Sequence, residues 1–266
     1  MSDKKPIRVG VSGAAGRMGR AIADCIADEP NLILASALES TACPKKGNYA
    51  NKEGILRIST DFDPEHVDVF VDFSTPLASI KLISKCSRAS IPMVIGVTGF
   101  SEDKKSFIAR AAKDIPIVVA PNMSIGVHLM SGLVGQAADT MIDSDAEIFE
   151  AHHRHKKDAP SGTALHLGEI IAKARGHKFT DVAVFDRHGK NCARKNDEIG
   201  FSVMRGGDIV GEHRVVFSGN EEQLEIVHRA TGRKHFAMGA LAACGFVVEA
   251  APGLYDMNDV VSTVFK

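Results

Sequence analysis

The sequence lacks closely paired cysteines. Its five cysteines are widely spread, and no two of them form a CxxC pair: Cys25, Cys43, Cys86, Cys192 and Cys244. A scattered, odd-numbered set argues against a zinc knuckle and against a disulfide framework. We therefore expect reduced cysteines, as in a cytoplasmic protein.

The sequence also lacks net charge and long hydrophobic runs. It has 32 Lys and Arg against 33 Asp and Glu, a net charge of −1, so no global field would hold it on nucleic acid or an anionic membrane. No apolar stretch has spanning length, and the polar leader has no hydrophobic signal region. With 266 residues, 44% of them hydrophobic, the chain can build one large or two moderate domains. We expect a cytoplasmic protein with neither nucleic-acid nor membrane partners.

Short apolar runs alternate with helical patterns through the first half of the chain. The predicted strands are residues 7–11, 32–38, 67–73, 93–97 and 117–120. The helical patterns between them are residues 17–27, 77–87 and 102–112. This rhythm is typical of βαβ units and predicts a Rossmann-like, doubly wound parallel sheet of the α/β class.

The pattern changes after Asn122. An amphipathic segment at 125–141 precedes a strand at 145–153 and a helix from Ser161 to about Ala174. Short runs then follow near Val182 and at 199–203, 209–217 and 224–228. Their close spacing and glycine-rich turns predict an antiparallel or mixed sheet in a second, α+β domain. The last segments, 235–249 and 253–261, look helical and could pack on either domain.

Three glycines, Gly13, Gly16 and Gly19, follow the first strand and open the first helix. Small residues there let the backbone turn tightly beside a pyrophosphate, whose charge rests on free N–H groups of the helix. Glu39 ends the second strand, where a carboxylate can accept both ribose hydroxyls of a dinucleotide. The alternative is a turn that only lets helix and sheet pack closely. The strand, loop and helix context favours dinucleotide binding.

A basic run at residues 152–157 contains three histidines, one arginine and two lysines. A metal site fits poorly, because neighbours at the end of a strand point to opposite faces. A solvated surface patch remains open. Directly afterwards, Ser161 is a natural N-cap, and Gly162 and Thr163 expose the first N–H groups of a helix. Backbone donors beside imidazole and ammonium groups suit a small dicarboxylate.

The run EAHHRHKKDAPSGTAL closely resembles the signature of the 4-hydroxy-tetrahydrodipicolinate reductase family, also called dihydrodipicolinate reductases. Similar blocks extend over nearly the whole chain: VGVSGAAGRMG, VDFSTP, VIGVTGF, APNMSIGV, IGFSVMRGGDIVGEH and GLYDMNDVV. The resemblance implies reduction of a cyclic dicarboxylate by NADH or NADPH in diaminopimelate and lysine biosynthesis. It also implies a dinucleotide-binding domain at 1–123 with 238–266, and a substrate-binding domain at 124–237 whose mixed sheet builds a homotetramer.

The resemblance further implies roles for individual residues, with no metal among them. His152 and Lys156 match the acid-base positions, with Lys156 as proton donor, and the charge of the basic run then holds carboxylates and delivers a proton. The substrate-binding positions are His153, Gly162 and Thr163. The cofactor-binding positions are Gly13, Ala14, Ala15, Gly16, Arg17, Met18, Glu39, Ser40, Gly96, Val97, Thr98, Ala120, Pro121, Asn122 and Met123.

One departure bears on the choice of cofactor. Family members that use both cofactors often carry arginine after the ribose acid, whereas this chain has Ser40. Glu39 repels a 2′-phosphate, and Ser40, Lys45 and Lys46 partly offset that repulsion. The preference between NADH and NADPH therefore stays open.

Two other functions compete with this interpretation. A different two-domain nicotinamide-dependent enzyme, an amino-acid or semialdehyde dehydrogenase, would share the glycine loop but not the segment from His152 to Thr163. A dinucleotide-sensing regulator would use the basic run on nucleic acid. The near-zero net charge and the lack of aromatic residues among the basic ones argue against the regulator.

Overall fold

The computed structural model describes residues 5–51, 54 and 56–264. The chain divides into two compact units. The first comprises the chain up to Ile125 together with the chain from Arg233 onward, and the second is Gly126–Gly232. Within the described residues, no helix combines the length and the apolar character that crossing a membrane requires.

The first unit is built on a six-stranded sheet in which all pairs are parallel. Its strands are β1 (Ile7–Ser12), β2 (Leu32–Leu38), β3 (Val69–Asp72), β4 (Met93–Ile95), β5 (Pro116–Val119) and β11 (Gly253–Tyr255). Their order is β11-β5-β4-β3-β1-β2. β3 and β4 are buried along their whole length, as expected for strands covered on both faces. The predicted doubly wound parallel sheet is confirmed.

Helices cover both faces of this sheet. They are α1 (Arg17–Ala27), α2 (Pro76–Arg88), α3 (Glu102–Ala111), α7 (Lys234–Val247) and α8 (Met257–Val264). Ile22 of α1 and Leu241 of α7 share one apolar core, whereas Ile83 of α2 and Ile108 of α3 share the other. β1 lies between β2 and β3, so the strand order reverses there. Ligands of such sheets bind at the carboxyl ends of the strands beside that point.

The last segment differs from its prediction. Residues 253–261 were expected to be helical, but Gly253–Tyr255 forms β11 and only the chain from Met257 is helical. β11 pairs with β5 in the register Gly253 with Pro116. A three-residue strand is too short to show an alternating pattern, so its sequence carries no strand signal. The preceding helix α7 belongs to the first unit and packs against α1.

The second unit has a five-stranded sheet with the order β10-β9-β6-β8-β7. Its strands are β6 (Asp145–His152), β7 (Ala183–Val184), β8 (Ile199–Arg205), β9 (Gly211–Ser218) and β10 (Gln223–Ala230). β10, β9 and β6 are antiparallel neighbours, whereas β6, β8 and β7 run parallel, so the predicted mixed sheet is confirmed. The run near Val182 is a short helix, α6 (Phe179–Val182), followed by β7.

One face of this sheet packs under two helices, α4 (Ile125–Thr140) and α5 (Gly162–Ala174). Val134 of α4 and Leu167 of α5 share an apolar core with Val215 of β9. Side chains alternate along a strand, so Glu150 lies on the same covered face as Ile148. Register then sets Glu150 opposite His213, and His152 opposite Arg205. Four polar residues therefore meet at one end of the sheet.

Candidate active site

The loop between β1 and α1 requires glycine for steric reasons. Gly13 has a φ of 77°, and a Cβ there would lie 2.7 Å from the carbonyl oxygen of Phe73. A Cβ on Gly19 would lie 2.2 Å from the carbonyl oxygen of Gly13. No side chain caps α1, so its first N–H groups, those of Arg17 and Met18, remain available to an anion.

Glu39 lies against this loop. Its Oε1 accepts a hydrogen bond from the Ala15 N–H at 3.0 Å, and its Oε2 accepts one from the Ser40 N–H at 3.2 Å. A pocket of about 480 Å³ opens beside Gly13, Glu39 and Ser40. The glycine loop and the carboxylate fit the pyrophosphate and ribose of a dinucleotide, because Gly13 and Glu39 line the same pocket and the loop leads directly into the start of α1.

The same pocket contains two lysines that the sequence reasoning missed. Lys81 and Lys85 lie one turn apart on α2 and line the pocket together with Glu39. Lys85 Nζ is 2.7 Å from Asp61 Oδ1, so its charge is already paired. Lys81 is exposed. Their i, i+4 spacing along α2 was the signal that could have placed both lysines on one face.

The two other predicted cofactor loops follow β4 and β5. Gly96 N–H donates to the carbonyl of Asp72 at 2.9 Å, and Ala120 N–H donates to that of Ile95 at 3.1 Å. The two loops thus end at the same edge of the sheet. They share the wall of a second pocket, of about 720 Å³, through Val97, Thr98 and Pro121. Asn122 and the buried Met123 follow in the second loop.

The basic run begins where β6 ends, at His152. Lys156 N–H donates to the His153 carbonyl at 3.1 Å, which folds the run back on itself. The Lys156 side chain is only 21% exposed, and its Nζ lies 3.0 Å from Asp158 Oδ1. That ammonium holds the pKa of Asp158 below its ordinary value. Lys157, in contrast, is exposed, so the two lysines differ in environment.

The start of α5 matches the predicted N-cap. Ser161 Oγ accepts a hydrogen bond from the Ala164 N–H at 3.2 Å. A Cβ built on Gly162 would meet no atom within 4 Å, so the first turn of the helix is open on that side. Thr163 is half-buried in the same turn. The open first turn begins at Gly162, shortly after the basic run ends at Lys157.

Glu150, Arg205 and His213 are further polar residues of this region that the sequence reasoning missed. The Glu150 carboxylate is 1% exposed and accepts hydrogen bonds from His152, Arg205 and the Ser161 N–H. Burial raises the pKa of this carboxyl, but the Arg205, His152 and Ser161 hydrogen bonds outweigh burial, and the pKa lies below its ordinary value. Glu150 is therefore an ionised group inside the second unit.

Two histidines around Glu150 are held neutral. Burial is the main cause that lowers the pKa of His152 below its ordinary value, although Glu150 opposes it. Burial and the neighbouring His152 lower the pKa of His213 to about 4, and its Nε2 lies 2.9 Å from Ser161 Oγ. His153 Nδ1 is buried and has no hydrogen-bond partner in the described part of the chain.

The predicted residues thus gather in two places. The glycine loop, Glu39, Ser40 and the loops after β4 and β5 lie at one edge of the first unit, and His152, His153, Lys156, Gly162 and Thr163 lie at one end of the second. Among the described residues, no group of three His, Cys, Asp or Glu side chains is arranged to hold a metal ion.

Comparisons with known proteins give a consistent result. A family model described as "Dihydrodipicolinate reductase, N-terminus" matches residues 7–123, and one described as "Dihydrodipicolinate reductase, C-terminus" matches residues 126–261. The chain is 45% identical over 263 residues to the 4-hydroxy-tetrahydrodipicolinate reductase of Nitrosomonas europaea, covering 96% of this chain and 98% of the relative. It is 42% identical over 268 residues to that of Hahella chejuensis, with 96% and 98% covered.

A solved structure with a similar fold is the dipicolinate-bound dihydrodipicolinate reductase from Paenisporosarcina sp. TG-14. The TM-score is 0.76 at 24% identity, covering 94% of this chain and 97% of that one. This likeness concerns the fold, whereas the matching family models extend over both units of the sequence. This chain belongs to the dihydrodipicolinate reductase family.

Proposed function

We propose that this chain catalyses the reduction of 4-hydroxy-tetrahydrodipicolinate to tetrahydrodipicolinate by NADH or NADPH, in diaminopimelate and lysine biosynthesis. Membership of the family supports an NAD(P)H-dependent oxidoreductase and this pathway role. The observation that carries the proposal is the open first turn of α5 at Gly162, which follows a run of imidazole and ammonium groups. Together they suit a small dicarboxylate.

The first unit would hold the cofactor. We assign residues 1–123 with 238–266 to dinucleotide binding, where the first N–H groups of α1 would receive the pyrophosphate and Glu39 the adenosine ribose. The loops at Gly96 to Thr98 and Ala120 to Met123 would border the nicotinamide. When bound, the reduced nicotinamide supplies a hydride.

The second unit, residues 124–237 in our assignment, would hold the substrate. The N–H groups of Gly162 and Thr163 bind one carboxylate, and His153 binds the other. The substrate loses its hydroxyl group as water, and its conjugated imine accepts the hydride. Lys156 donates the proton that the electron-rich product of this addition requires, with His152 beside it in the acid-base machinery. The electrostatic potential of the site is adjusted, without direct contact with the substrate, by the remaining basic residues of the run, Arg154, His155 and Lys157.

Neither competing interpretation explains the second unit. A different dehydrogenase would need the glycine loop alone, whereas the matching family model covers residues 126–261 and includes the basic run. A nucleic-acid-binding regulator would need a basic face, but the net charge of the whole chain is −1. The reductase accounts for both halves of the sequence.

We further propose a homotetramer in the cytoplasm, assembled through the sheet of the second unit. Exposed apolar side chains on that sheet support association: Val203, Met204, Leu224 and Val227. All five cysteines are free, which suits a reducing compartment. Sedimentation velocity should give the mass of four chains, and a monomer at micromolar concentration would contradict the assembly.

A coupled assay tests the activity. The upstream synthase, supplied with pyruvate and aspartate semialdehyde, generates the unstable substrate, and the loss of absorbance of NADH or NADPH is followed after addition of this protein. We expect oxidation that depends on the synthase and both of its substrates. No oxidation of either cofactor, or equal oxidation with simple amino acids or hydroxy acids, would refute the proposed reaction.

A further inference from the structure

Glu150 is a charged residue in a place where charge is costly. It lies on the covered face of β6, 1% exposed, and yet its pKa is below the ordinary value. A buried carboxylate stays ionised only when donors and an opposite charge surround it. The identity of those donors indicates what Glu150 does.

The two carboxylate oxygens of Glu150 accept four hydrogen bonds. Oε1 accepts from the Ser161 N–H at 2.9 Å and from Arg205 Nη2 at 2.7 Å. Oε2 accepts from His152 Nδ1 at 2.6 Å and from Arg205 Nη1 at 2.7 Å. A carboxylate offers about four acceptor positions, so this one is fully used. Its donors come from β6, β8 and the start of α5.

The contact with His152 fixes the position of the imidazole proton. An ionised carboxylate only accepts hydrogen bonds, so Nδ1 of His152 must carry the hydrogen. In the neutral ring, Nε2 is then the nitrogen with a free lone pair. Nε2 lies beside Gly211, where a Cβ would approach it to 3.1 Å. The absence of a side chain at Gly211 leaves space in front of this nitrogen.

The contact with Ser161 fixes the start of α5. Ser161 is the N-cap, and Gly162 and Thr163 are the next two residues. One oxygen of Glu150 therefore holds the residue in front of the proposed carboxylate site, while the other orients the proposed acid-base histidine. Arg205 links the two oxygens in a bidentate pair and also donates to the Asp158 carbonyl at 2.7 Å.

We propose, building on the function proposed above, that Glu150 is a positioning residue that couples the orientation and tautomer of His152 to the carboxylate-binding turn of α5. Arg205 is the charge partner that keeps Glu150 ionised. If Glu150 served only for folding, its replacement would not change the tautomer of His152.

Replacement by glutamine gives a sharp test. An amide presents one acceptor and one NH₂ group, so in either orientation the NH₂ group replaces an oxygen that accepts from Arg205, and that one hydrogen bond is lost. The orientation that keeps the amide oxygen toward the Ser161 N–H preserves the other hydrogen bond from Arg205. His152 is the one of these neighbours that can change from donor to acceptor, so Glu150→Gln should turn the NH₂ group toward Nδ1 and move the ring proton to Nε2. The fold of the second unit can otherwise persist, because the side-chain shape is unchanged.

The tautomer is measured by solid-state ¹⁵N NMR of histidine-labelled protein, with the His152 signals assigned by their loss in His152→Gln. We expect protonated Nδ1 in the wild type and protonated Nε2 in Glu150→Gln. The ring should also take up its second proton at lower pH in the variant. The groups facing it are Arg205 and Lys156, which lower its pKa, His213 across the sheet, and Glu150, which raises it.

Kinetics provide the second readout. Glu150→Gln should lower kcat at least about tenfold and raise KM for the substrate, with the Kd for NADH unchanged, and Glu150→Asp should recover part of kcat because it keeps the charge. Asp68→Asn is the matched control, because Asp68, in the first unit, also accepts from an arginine, Arg8, and from a backbone N–H. It should alter stability only.

The results of these experiments distinguish a failure of the positioning role of Glu150 from a failure of the proposed reductase function. An unchanged ¹⁵N pattern of His152 in Glu150→Gln, or a loss of kcat no larger than in Asp68→Asn, would overturn the positioning role. If Glu150→Gln fails to fold, Glu150→Gln with Arg205→Met removes both charges and should show the same change of tautomer. If the wild type has no reductase activity, the proposed function fails, but the NMR result still decides whether Glu150 sets the tautomer.

Discussion

The two helix N-termini that we propose as anion sites are built in opposite ways. α1 has no side-chain cap and is shaped by backbone alone, through Gly13 and Gly19. α5 has a side-chain cap, Ser161, which a buried carboxylate and a buried histidine hold in place. Backbone suffices where a ligand only has to be bound. A site that also moves a proton needs titratable side chains with fixed partners.

The first and largest effect should come from Lys156→Arg. If Lys156 only supplied charge, arginine would serve as well, since it pairs with carboxylates at least as strongly. As a proton donor it should fail, because a guanidinium with a pKa above about 12 retains its proton near neutrality. We expect kcat to fall at least about a hundredfold with cofactor binding unchanged.

Lys157→Arg is the control for this variant, because Lys157 is exposed while Lys156 is largely buried. It should retain nearly full kcat. A Lys156→Arg enzyme close to wild type would remove the proton-donor role from Lys156 and leave His152 as the candidate acid. The second N-terminus would then resemble the first, as a site of binding alone.

The second prediction concerns the stability of the fold at acid pH, which should depend on His213. The pKa of His213 is about 4 when folded and about 6.5 in the unfolded chain. Between these values the unfolded state binds a proton that the folded state does not, so falling pH favours unfolding. The contribution of His213 to the free energy of unfolding should decrease by on the order of 2–3 kcal/mol from pH 6.5 to pH 4, and this residue should contribute little further loss at lower pH.

Urea titrations at fixed protein concentration, compared with His213→Gln, measure this contribution. The variant keeps a polar group near Ser161 but cannot titrate, so its stability should depend less on pH over that interval. Equal slopes for the two proteins would show that His213 does not stay neutral in the folded state.

Third, Gly162→Val tests the open turn of α5. A Cβ at Gly162 meets no atom within 4 Å, so the fold should tolerate valine, while a bound carboxylate should not. We expect the substrate KM to rise about tenfold, equivalent to about 1.4 kcal/mol, and the Kd for NADH to stay constant. Gly132→Val, at a similarly open position on α4, should change neither. Equal damage to substrate and cofactor binding would make the turn purely structural.

Fourth, Glu39→Ala tests the acceptor beside the glycine loop. It removes the proposed partner of the ribose and also the contact with the Ala15 N–H. We expect the Kd for NADH to rise at least about tenfold, with little change of kcat at saturation, because a single charge-assisted hydrogen bond contributes about 1.5–3 kcal/mol. Isothermal titration with NADH measures it. Unchanged affinity would exclude Glu39 from the cofactor site.

The wild-type protein should use both NADH and NADPH, with activities within about two orders of magnitude of each other, or roughly 2.7 kcal/mol.

The smallest effect should come from Lys81→Gln. Lys81 lines the pocket of Glu39, so its loss should lower affinity for NADPH relative to NADH about threefold, as expected for one exposed cation. Lys113→Gln, on a surface away from that pocket, should leave the ratio unchanged. Strict use of one cofactor would contradict the role given to this pocket.

The sequence predicted what depends on local backbone geometry. Gly13, Glu39 and Ser161 sit at the ends of strands and helices, where turns and caps restrict residue choice. Glu150 and Arg205 were missed, because they meet only through the register of β6 and β8, 55 positions apart in the chain. β11 was missed for the same reason, since it is recognisable only by its pairing with β5.

The division of the chain also has a consequence for protein synthesis. The second unit is continuous, whereas the first needs α7, β11 and α8, which leave the ribosome after the second unit. Domains fold as their residues emerge, so the second unit should complete its fold while the earlier half of the first still exposes the apolar face that α7 later covers. Nascent chains stalled before Arg233 should therefore bind chaperones through the part of the first unit that precedes Gly126.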